Sequence, residues 1–154
     1  MKIQAMPLTE AMAKEIATWK YDGDYAIYNL PSWEDMTQQS FSLCDEQKRK
    51  RFIGYADETE QLLGFVNLLD EGPHVFLGIG VKPTLCNKGL GKQILQLATQ
   101  ESCVRYPNKP IVLEVRSWNK RAVMCYESAG FKIIDIKEQV THIGPGKFYV
   151  MKYS

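Results

Sequence analysis

The chain has 154 residues, of which 45% are hydrophobic and 24% are charged, and its formal net charge is +1. This length predicts one domain, residues 1–154, whose core needs neither metals nor disulfides. The near-zero charge argues against a nucleic-acid protein that binds by bulk positive charge. The four cysteines form no CxxC pair and no zinc-spaced cluster, so we expect no metal and buried free thiols.

The start of the sequence and its one basic run carry no recognisable targeting signal. No long apolar segment follows Met1, and none approaches the length of a membrane span, so we expect a cytoplasmic protein without membrane partners. The one basic run, residues 48–51, follows Asp45 and Glu46. A solvated face is favoured there over a nucleic-acid contact.

The first half of the chain predicts a strand, two helices and then three strands. A strand reaches Met6, Thr9 can cap a helix that runs to about Trp19, and Ser32 can cap a second helix. The segment between the helices, residues 21–28, is aromatic and acidic without a clear period. Three strands with short turns are predicted at residues 51–56, 61–69 and 74–81, which suggests an antiparallel meander.

The second half alternates helices and strands. Helices are predicted from Gly89 to about Arg105 and from Lys120 to Ala129, the second capped by Asn119 and stopped by Gly130. Strands are predicted at residues 111–116, 131–136 and 148–153, with a turn at residues 144–146. This order of elements predicts an α/β or α+β domain with a mixed sheet.

A loop with two glycines, Gly89 and Gly91, separates the third meander strand from the next helix. Unpaired N–H groups and the positive dipole end at a helix start can bind phosphate, but a plain turn explains the glycines equally well. A P-loop would need glycine at Cys86 and Ser or Thr at Gln93, and a dinucleotide fingerprint would need glycine at Ile94. Neither nucleotide motif is present.

Two blocks of the sequence together resemble the GNAT superfamily of acyl-CoA-dependent N-acetyltransferases. The loop at residues 86–91 is similar to that family's Gln/Arg-x-x-Gly-x-Gly/Ala signature, with Cys86 and Asn87 as departures from it. The second block resembles a later family motif through residues at matching spacing: Asn119, Ala122, Tyr126, Gly130 and Phe131. Cys86, next to a helix start, is either a reactive thiol with a lowered pKa or an inert loop residue.

The resemblance implies a mostly antiparallel, mixed sheet of six to seven strands with about four helices, and acetyl-CoA as co-substrate. It implies that loop amides hold the pyrophosphate, that a splayed strand at residues 77–81 pairs with the pantetheine arm, and that the thioester lies towards residues 111–115. Gly78 and Gly80 fit close approach by a ligand, or else a bulge or bend. The implied coenzyme contacts are Ile79, Gly80, Val81, Asn87, Lys88, Gly89, Leu90, Gly91, Lys92, Asn119, Ala122 and Tyr126.

The chemistry implied is transfer of an acetyl group to a primary amine by direct attack in a ternary complex. By position, Tyr126 is similar to the family's general acid for the departing thiolate; the alternative is a tyrosine that packs on an amphipathic helix. For the general base, Glu71 and His74 are candidates, together with Asp70, Glu114 or a water molecule. A non-catalytic acyl-CoA-binding module of the same fold is the alternative function.

The family's acceptor site implies residues 19–34 and 140–147 as its walls in this chain. The first segment carries acidic and aromatic side chains that suit a cationic amine, or that cover the sheet and face water. These side chains are Trp19, Tyr21, Asp22, Asp24, Tyr25, Tyr28 and Trp33. The family is often dimeric, which leaves a homodimer open.

Overall fold

Seven strands and four α-helices lie within residues 2–86, 88–141 and 143–154, which the computed structural model describes. Their bounds are β1 (Gln4–Pro7), α1 (Glu10–Ala17), α2 (Trp33–Gln38), β2 (Phe52–Ala56), β3 (Leu62–Asp70), β4 (Val75–Val81), α3 (Leu90–Arg105), β5 (Ile111–Arg116), α4 (Lys120–Ser128), β6 (Lys132–Thr141) and β7 (Gly144–Tyr153). Single 3-10 turns occur at Gly23–Tyr28, Ser42–Cys44, Lys48–Arg51 and Pro83–Leu85.

The strands form one mixed sheet in the order β1-β2-β3-β4-β5-β7-β6. The pairs β1–β2, β2–β3, β5–β7 and β6–β7 are antiparallel, whereas β4 and β5 are parallel and joined through α3. The amide of Lys82 donates to the carbonyl of Leu63 at 2.9 Å, which sets the end of β4 beside the start of β3. The predicted fold class, an α/β sheet of six to seven mostly antiparallel strands, is confirmed.

Side-chain caps fix the starts of three helices where the sequence predicted them. Thr9 Oγ1 accepts from the amide of Met12, and Ser32 Oγ accepts from that of Asp35. Asn119 Oδ1 accepts from the amide of Ala122 at 3.2 Å and so caps α4. Each cap satisfies one N–H that a helix start leaves without an internal partner.

Two compact units can be distinguished, and β3 and β4 contribute residues to both. One unit comprises Met1–Asn67 and Ile79–Leu90, and its apolar cluster gathers side chains from α1, α2, β2 and β3. The other comprises Leu68–Gly78 and Gly91–Ser154. Its buried side chains include Leu113 of β5 and Met151 of β7, which are register partners.

The C-terminal hairpin differs from the prediction. The predicted turn at residues 144–146 is part of β7, and β6 extends to Thr141, which is the register partner of Gly144. Pro145 is tolerated because the β5–β7 ladder ends at Phe148, so a proline that lacks an N–H loses no strand partner on that side. The prediction missed the second half of β6 because it relied on apolar runs, and residues 137–139 are polar.

Two other predictions were wrong about burial. Arg49, in the basic run, is 9% exposed, and its Nη1 donates to the carbonyl of Leu43 at 3.0 Å, so the run is not simply a solvated face. The four cysteines are not in disulfides, as expected, but Cys103 is exposed and the other three are only half-buried. On α3 the buried position is Ser102, one residue before Cys103, because the apolar face follows Leu95, Ala98 and Thr99.

Candidate functional site

The loop between β4 and α3 can bind a ligand through its backbone N–H groups. Gly89 has φ +77°, and among the described residues other than its two chain neighbours no atom lies within 4 Å of where a side chain's first carbon would be, so the conformation and not crowding calls for glycine. Leu90 is buried and anchors the first turn of α3, whereas Lys88 and Lys92 are exposed. The start of α3 therefore presents unpaired N–H groups flanked by two ammonium groups, which suits a diphosphate. The predicted contact Asn87 lies outside the described residues.

Tyr21 ties the segment after α1 to the end of β4. Its hydroxyl donates to the carbonyl of Val81 at 2.7 Å, and the Sγ of Cys86 lies 3.9 Å from the same oxygen and 3.6 Å from the carbonyl of Lys82. Burial, and then the proximity of Cys86, raise the pKa of Tyr21 well above its ordinary value. The phenol therefore stays protonated and remains a donor across the physiological pH range.

Gly80 has a packing reason that the sequence did not reveal. A side-chain carbon there would lie 2.7 Å from Cζ of Phe65 and closer still to its Cε1. The Phe65 ring is held between those of Trp19 and Phe52, with centroids 6.1 and 6.2 Å away. Packing against β3 thus accounts for this glycine, although a ligand role for its backbone is compatible with that.

The parallel ladder between β4 and β5 is short. It includes only the pairs Val75–Ile111 and Phe76–Val112, although β4 runs on to Val81 and β5 to Arg116. The predicted coenzyme contacts Ile79, Gly80 and Val81 are half-buried residues of this last part of β4. A strand whose ladder stops early keeps backbone groups for another extended partner.

Helix α4 carries the second sequence block. Asn119 is 7% exposed and serves as its N-cap, while Ala122, Cys125 and Tyr126 are half-buried. Val123 is the one buried residue among the described positions of α4, so the half-buried Ala122, Cys125 and Tyr126 are partly open to solvent. Gly130 ends the helix with φ +102°, a conformation that favours glycine. A side chain here would also lie against the ring of Tyr153.

The two sequence blocks meet through Lys92 and Cys125. Burial raises the pKa of Cys125, and the positive charge of Lys92 partly offsets that rise. Such an effect requires the ammonium group on the first turn of α3 to lie near the thiol, which is adjacent in sequence to Tyr126. The start of α3 and the Tyr126 region of α4 are thereby brought together.

The candidate bases all have partners. His74 Nε2 lies 2.9 Å from Glu71 Oε1, and Asp70 Oδ1 lies 2.7 Å from Lys109 Nζ. Glu114 accepts from Lys137 at 2.6 Å and from Gln139 at 3.0 Å. The Glu71–His74 pair is in the turn before β4, so the whole of that strand, about 20 Å at ~3.3 Å per residue, separates it from the glycine loop.

The predicted acceptor wall at residues 19–34 is partly structural. Trp19 is 6% exposed in the apolar cluster, Tyr21 is bonded to Val81, and the Lys14 ammonium lies 5.6 Å from the Trp33 ring centroid. Asp22, Asp24 and Tyr28 are exposed. Three acidic or aromatic groups thus remain accessible, whereas Trp19, Tyr21 and Trp33 have contacts within the fold.

Sequence reasoning missed the roles of Phe65 and Tyr21. The glycine at position 80 and the aromatic residue at 65 belong to neighbouring strands, and pairing an aromatic side chain with a glycine across strands is a signal that could have been sought. The hydrogen bond from Tyr21 to Val81 joins residues 60 positions apart, so no local pattern in the sequence predicts it. In the described part of the chain, no helix is long and apolar enough to cross a membrane, and no cluster of ligating residues is arranged to hold a metal.

Comparison with known proteins agrees with the geometry. The profile of the acetyltransferase (GNAT) family matches residues 12–131. Peptidyl-lysine N-acetyltransferase YiaC of Escherichia coli (strain K12) is 34% identical over 79 residues, which is 51% of this chain and 49% of that protein, so the match spans about half the length of that relative.

Solved structures share the fold across nearly the whole chain. A chimera of the spermidine N-acetyltransferase SpeG from Vibrio cholerae and hSSAT has a TM-score of 0.80 at 17% identity, covering 99% of this chain and 95% of that one. A GNAT-family acetyltransferase from Bacillus anthracis has a TM-score of 0.80 at 13% identity, covering 99% and 94%. With a family profile over most of its length and the matching fold, the chain belongs to the GNAT family of acetyltransferases.

Proposed function

We propose that this protein is an N-acetyltransferase that uses acetyl-CoA to acetylate a primary amine. The observation that carries the proposal is the loop before α3, where Gly89 has φ +77° and the exposed Lys88 and Lys92 flank the start of the helix. A diphosphate on the loop would put the thioester end of an extended coenzyme towards β4 and α4. Family membership supports acetyl-CoA as the co-substrate.

The residues of the loop fit a coenzyme diphosphate. The amides of residues 88–92 would bind the phosphate oxygens, and the exposed Lys88 and Lys92 would neutralise their charge. Gly89, with open space around its α-carbon, lets the backbone approach the ligand closely. The backbone of Ile79, Gly80 and Val81 would pair with the pantetheine arm as an added strand.

Acetyl-CoA supplies an activated acyl group as a thioester. The amine attacks the acyl carbon, the C–S bond breaks, and Tyr126 donates its phenolic proton to the departing thiolate. An amide near Ile79 to Val81 would donate to the carbonyl oxygen as negative charge develops there. Asn119 and Ala122 would hold the coenzyme on the α4 side.

Two observations support an amine on a lysine or polyamine as the acceptor. The names of two similar proteins specify peptidyl-lysine and spermidine, both of which carry primary amines. The exposed Asp22, Asp24 and Tyr28 suit a cationic group through charge and cation–π contact.

For the general base we propose a water molecule rather than the Glu71–His74 pair. Each member of the pair already has the other as its partner. Glu71→Gln and His74→Gln should therefore leave kcat unchanged. A loss of about 10²-fold in either variant would assign the base to the pair instead.

Substitution Tyr126→Phe tests the catalytic proposal. We expect kcat for thiol release with an amine panel to fall by roughly 10²–10⁴-fold, while coenzyme affinity by calorimetry persists. Tyr106→Phe, on a half-buried tyrosine just after α3, is the matched control and should retain wild-type kcat. An unchanged kcat for Tyr126→Phe would remove its assigned role.

Substitution Gly89→Val tests the coenzyme site independently. We expect coenzyme binding to be lost, because valine strongly disfavours φ +77° and its side chain would intrude on the diphosphate. Gly72→Val is the matched control: its φ is +96°, its surroundings are equally open, and it lies in the turn before β4. Similar loss of binding in both variants would contradict the loop assignment.

The alternative, a non-catalytic acyl-CoA-binding module, keeps one specific observation in its favour. The carboxylates that were candidates for the base are held in ion pairs or hydrogen bonds. Coenzyme binding without turnover on any amine of the panel would establish that alternative.

A further inference from the structure

Arg116, the last residue of β5, carries a buried positive charge. Its side chain is 9% exposed, and Arg116 and Phe148 form the last pair of the β5–β7 ladder. The carbonyl of Arg116 accepts from the amide of Asn119 at 2.9 Å, so the residue lies at the start of α4, the helix that carries Tyr126. A guanidinium stays protonated in proteins, and a buried charge is costly unless an opposite charge and hydrogen bonds compensate it.

The described residues compensate this charge only in part. Nη2 of Arg116 lies 3.4 Å from Thr141 Oγ1, a hydroxyl that also donates to the carbonyl of Gly144 at 3.1 Å. The guanidinium carbon lies 4.7 Å from the centroid of the Phe148 ring, which adds a cation–π contact. One long hydrogen bond leaves most of the guanidinium N–H groups without an acceptor among the described residues.

The carboxylate closest along the strand is engaged elsewhere. Glu114 lies two residues before Arg116, on the same face of β5, and its two oxygens are 2.6 Å from Lys137 Nζ and 3.0 Å from Gln139 Nε2. Within the described ranges, no ion pair joins Arg116 to an acidic side chain. The negative charge that would balance Arg116 is therefore not supplied by this part of the chain.

Gly146 provides the space in which the guanidinium lies. A side-chain carbon at position 146 would be 2.5 Å from Arg116 Nη1, so a larger residue would displace the charged group. No Arg116 nitrogen is among the described buried atoms that lack a hydrogen-bond partner, in contrast to Arg51 Nε. Its unpaired N–H groups can therefore be reached from solvent. Thr141 and Gly146 both belong to residues 140–147, the predicted wall of the acceptor site.

We infer that Arg116 binds a carboxylate of the acceptor, so that the preferred substrates are amino acids or peptides in which a carboxylate accompanies the primary amine. The inference rests on the proposed function, because it names the acceptor of that reaction. The planar fork of a guanidinium matches the two oxygens of a carboxylate, and one positive charge balances one negative charge. A phosphate dianion would need a second cation, and Lys137 is already paired with Glu114. A polyamine brings no anion to Arg116.

Lysine and cadaverine test the inference, because cadaverine is lysine without its carboxylate. In thiol-release assays with acetyl-CoA, we expect kcat/KM of the wild type to be at least about tenfold higher for lysine. Arg116→Gln should bring the ratio of the two values close to one, mainly by raising KM for lysine. Arg116→Lys, which keeps the charge but loses the fork, should also lower the ratio. Arg105→Gln removes an arginine that is paired with Glu101 on α3, and as the matched control it should keep the wild-type ratio.

A purely structural role of Arg116 predicts a different result. Loss of a support between β5 and β7 should lower kcat/KM for both amines alike and leave their ratio unchanged. Gly146→Ala is an independent variant, because its methyl group displaces the guanidinium while Arg116 itself is kept, and it should lower the ratio as well. A wild-type ratio near one, or a ratio that Arg116→Gln leaves unchanged, would overturn the inference.

Calorimetry separates this inference from the proposed function. Absence of turnover on every amine would refute the proposed function, but binding of lysine and cadaverine to the protein with coenzyme A can still be compared. We expect lysine to bind at least about tenfold more tightly than cadaverine in the wild type, and with similar affinity in Arg116→Gln. Equal affinities in the wild type, or a preference that survives in Arg116→Gln, would show that Arg116 is not a carboxylate site.

Discussion

Substitution Gly80→Ala tests how β4 is packed where the coenzyme is proposed to bind. The added methyl carbon would lie 2.7 Å from Cζ of Phe65, where ordinary contacts are 3.4–4 Å, and closer to Cε1. The ring cannot simply retreat, because Trp19 and Phe52 flank it with centroids 6.1 and 6.2 Å away. Relief therefore requires either a shift of the backbone of β4 or repacking of three aromatic rings.

The expected magnitude follows from two opposing effects. Overpacking a filled site costs about 1–3 kcal/mol, whereas alanine in place of glycine recovers about 0.4–1 kcal/mol by restricting the unfolded chain. The net loss of unfolding free energy is about 0–2.6 kcal/mol, which lowers Tm by up to about 10 °C for a chain of this size. Urea unfolding followed by circular dichroism measures it.

A double-mutant cycle with Phe65→Leu provides the control. Phe65→Leu alone destabilises because it leaves a cavity, but Gly80→Ala in that background should be neutral or stabilising, since the clashing ring is gone. Coenzyme affinity is then compared with and without Gly80→Ala in the Phe65→Leu background. A change in affinity there reports a ligand role of the Gly80 backbone and not the packing clash. An equal cost of Gly80→Ala in both backgrounds would refute the packing explanation.

Two further predictions concern groups that the fold buries. Arg49→Ala should lower the unfolding free energy by about 1–3 kcal/mol, because it leaves the carbonyl of Leu43 without its donor, whereas Lys48→Ala on the exposed neighbour should change little; equal effects in urea unfolding would contradict this. Folding raises the pKa of Tyr21, so its contribution to stability is complete below the ordinary value of 10.0 and is lost as pH rises above it. Tyr21→Phe should therefore lose less stability than the wild type between about pH 8 and pH 11, and parallel loss in both proteins would show that Tyr21 does not titrate with unfolding.

Local signals in the sequence were sufficient for most of the elements. Thr9, Ser32 and Asn119 cap helices as predicted, because a cap depends on a side chain and an amide only two or three residues apart. The meander from β2 to β4 was found because apolar strands alternate with short polar turns. The end of β6 was missed, since the polar residues 137–139 interrupt its apolar pattern.

Some features of the candidate site were likewise predictable from the sequence, and others depend on the tertiary structure. The two family blocks are recognisable in the sequence, since they depend on fixed spacing around Gly89, Gly91, Asn119 and Tyr126. Their proximity is a tertiary fact, visible in the effect of Lys92 on Cys125. The reason for Gly80 is equally tertiary, because the atom that occupies its side-chain space belongs to Phe65 on another strand.

By itself the sequence determined the helix caps, the strand–loop–helix frame and the resemblance to the acetyltransferase family. Only the tertiary structure decided which polar and aromatic groups are accessible: Arg49 and Trp19 are buried, whereas Ile136 and Cys103 are exposed. The physical reason is that burial depends on what packs against a residue from distant parts of the chain. Composition and periodicity record only what a residue's own element would favour.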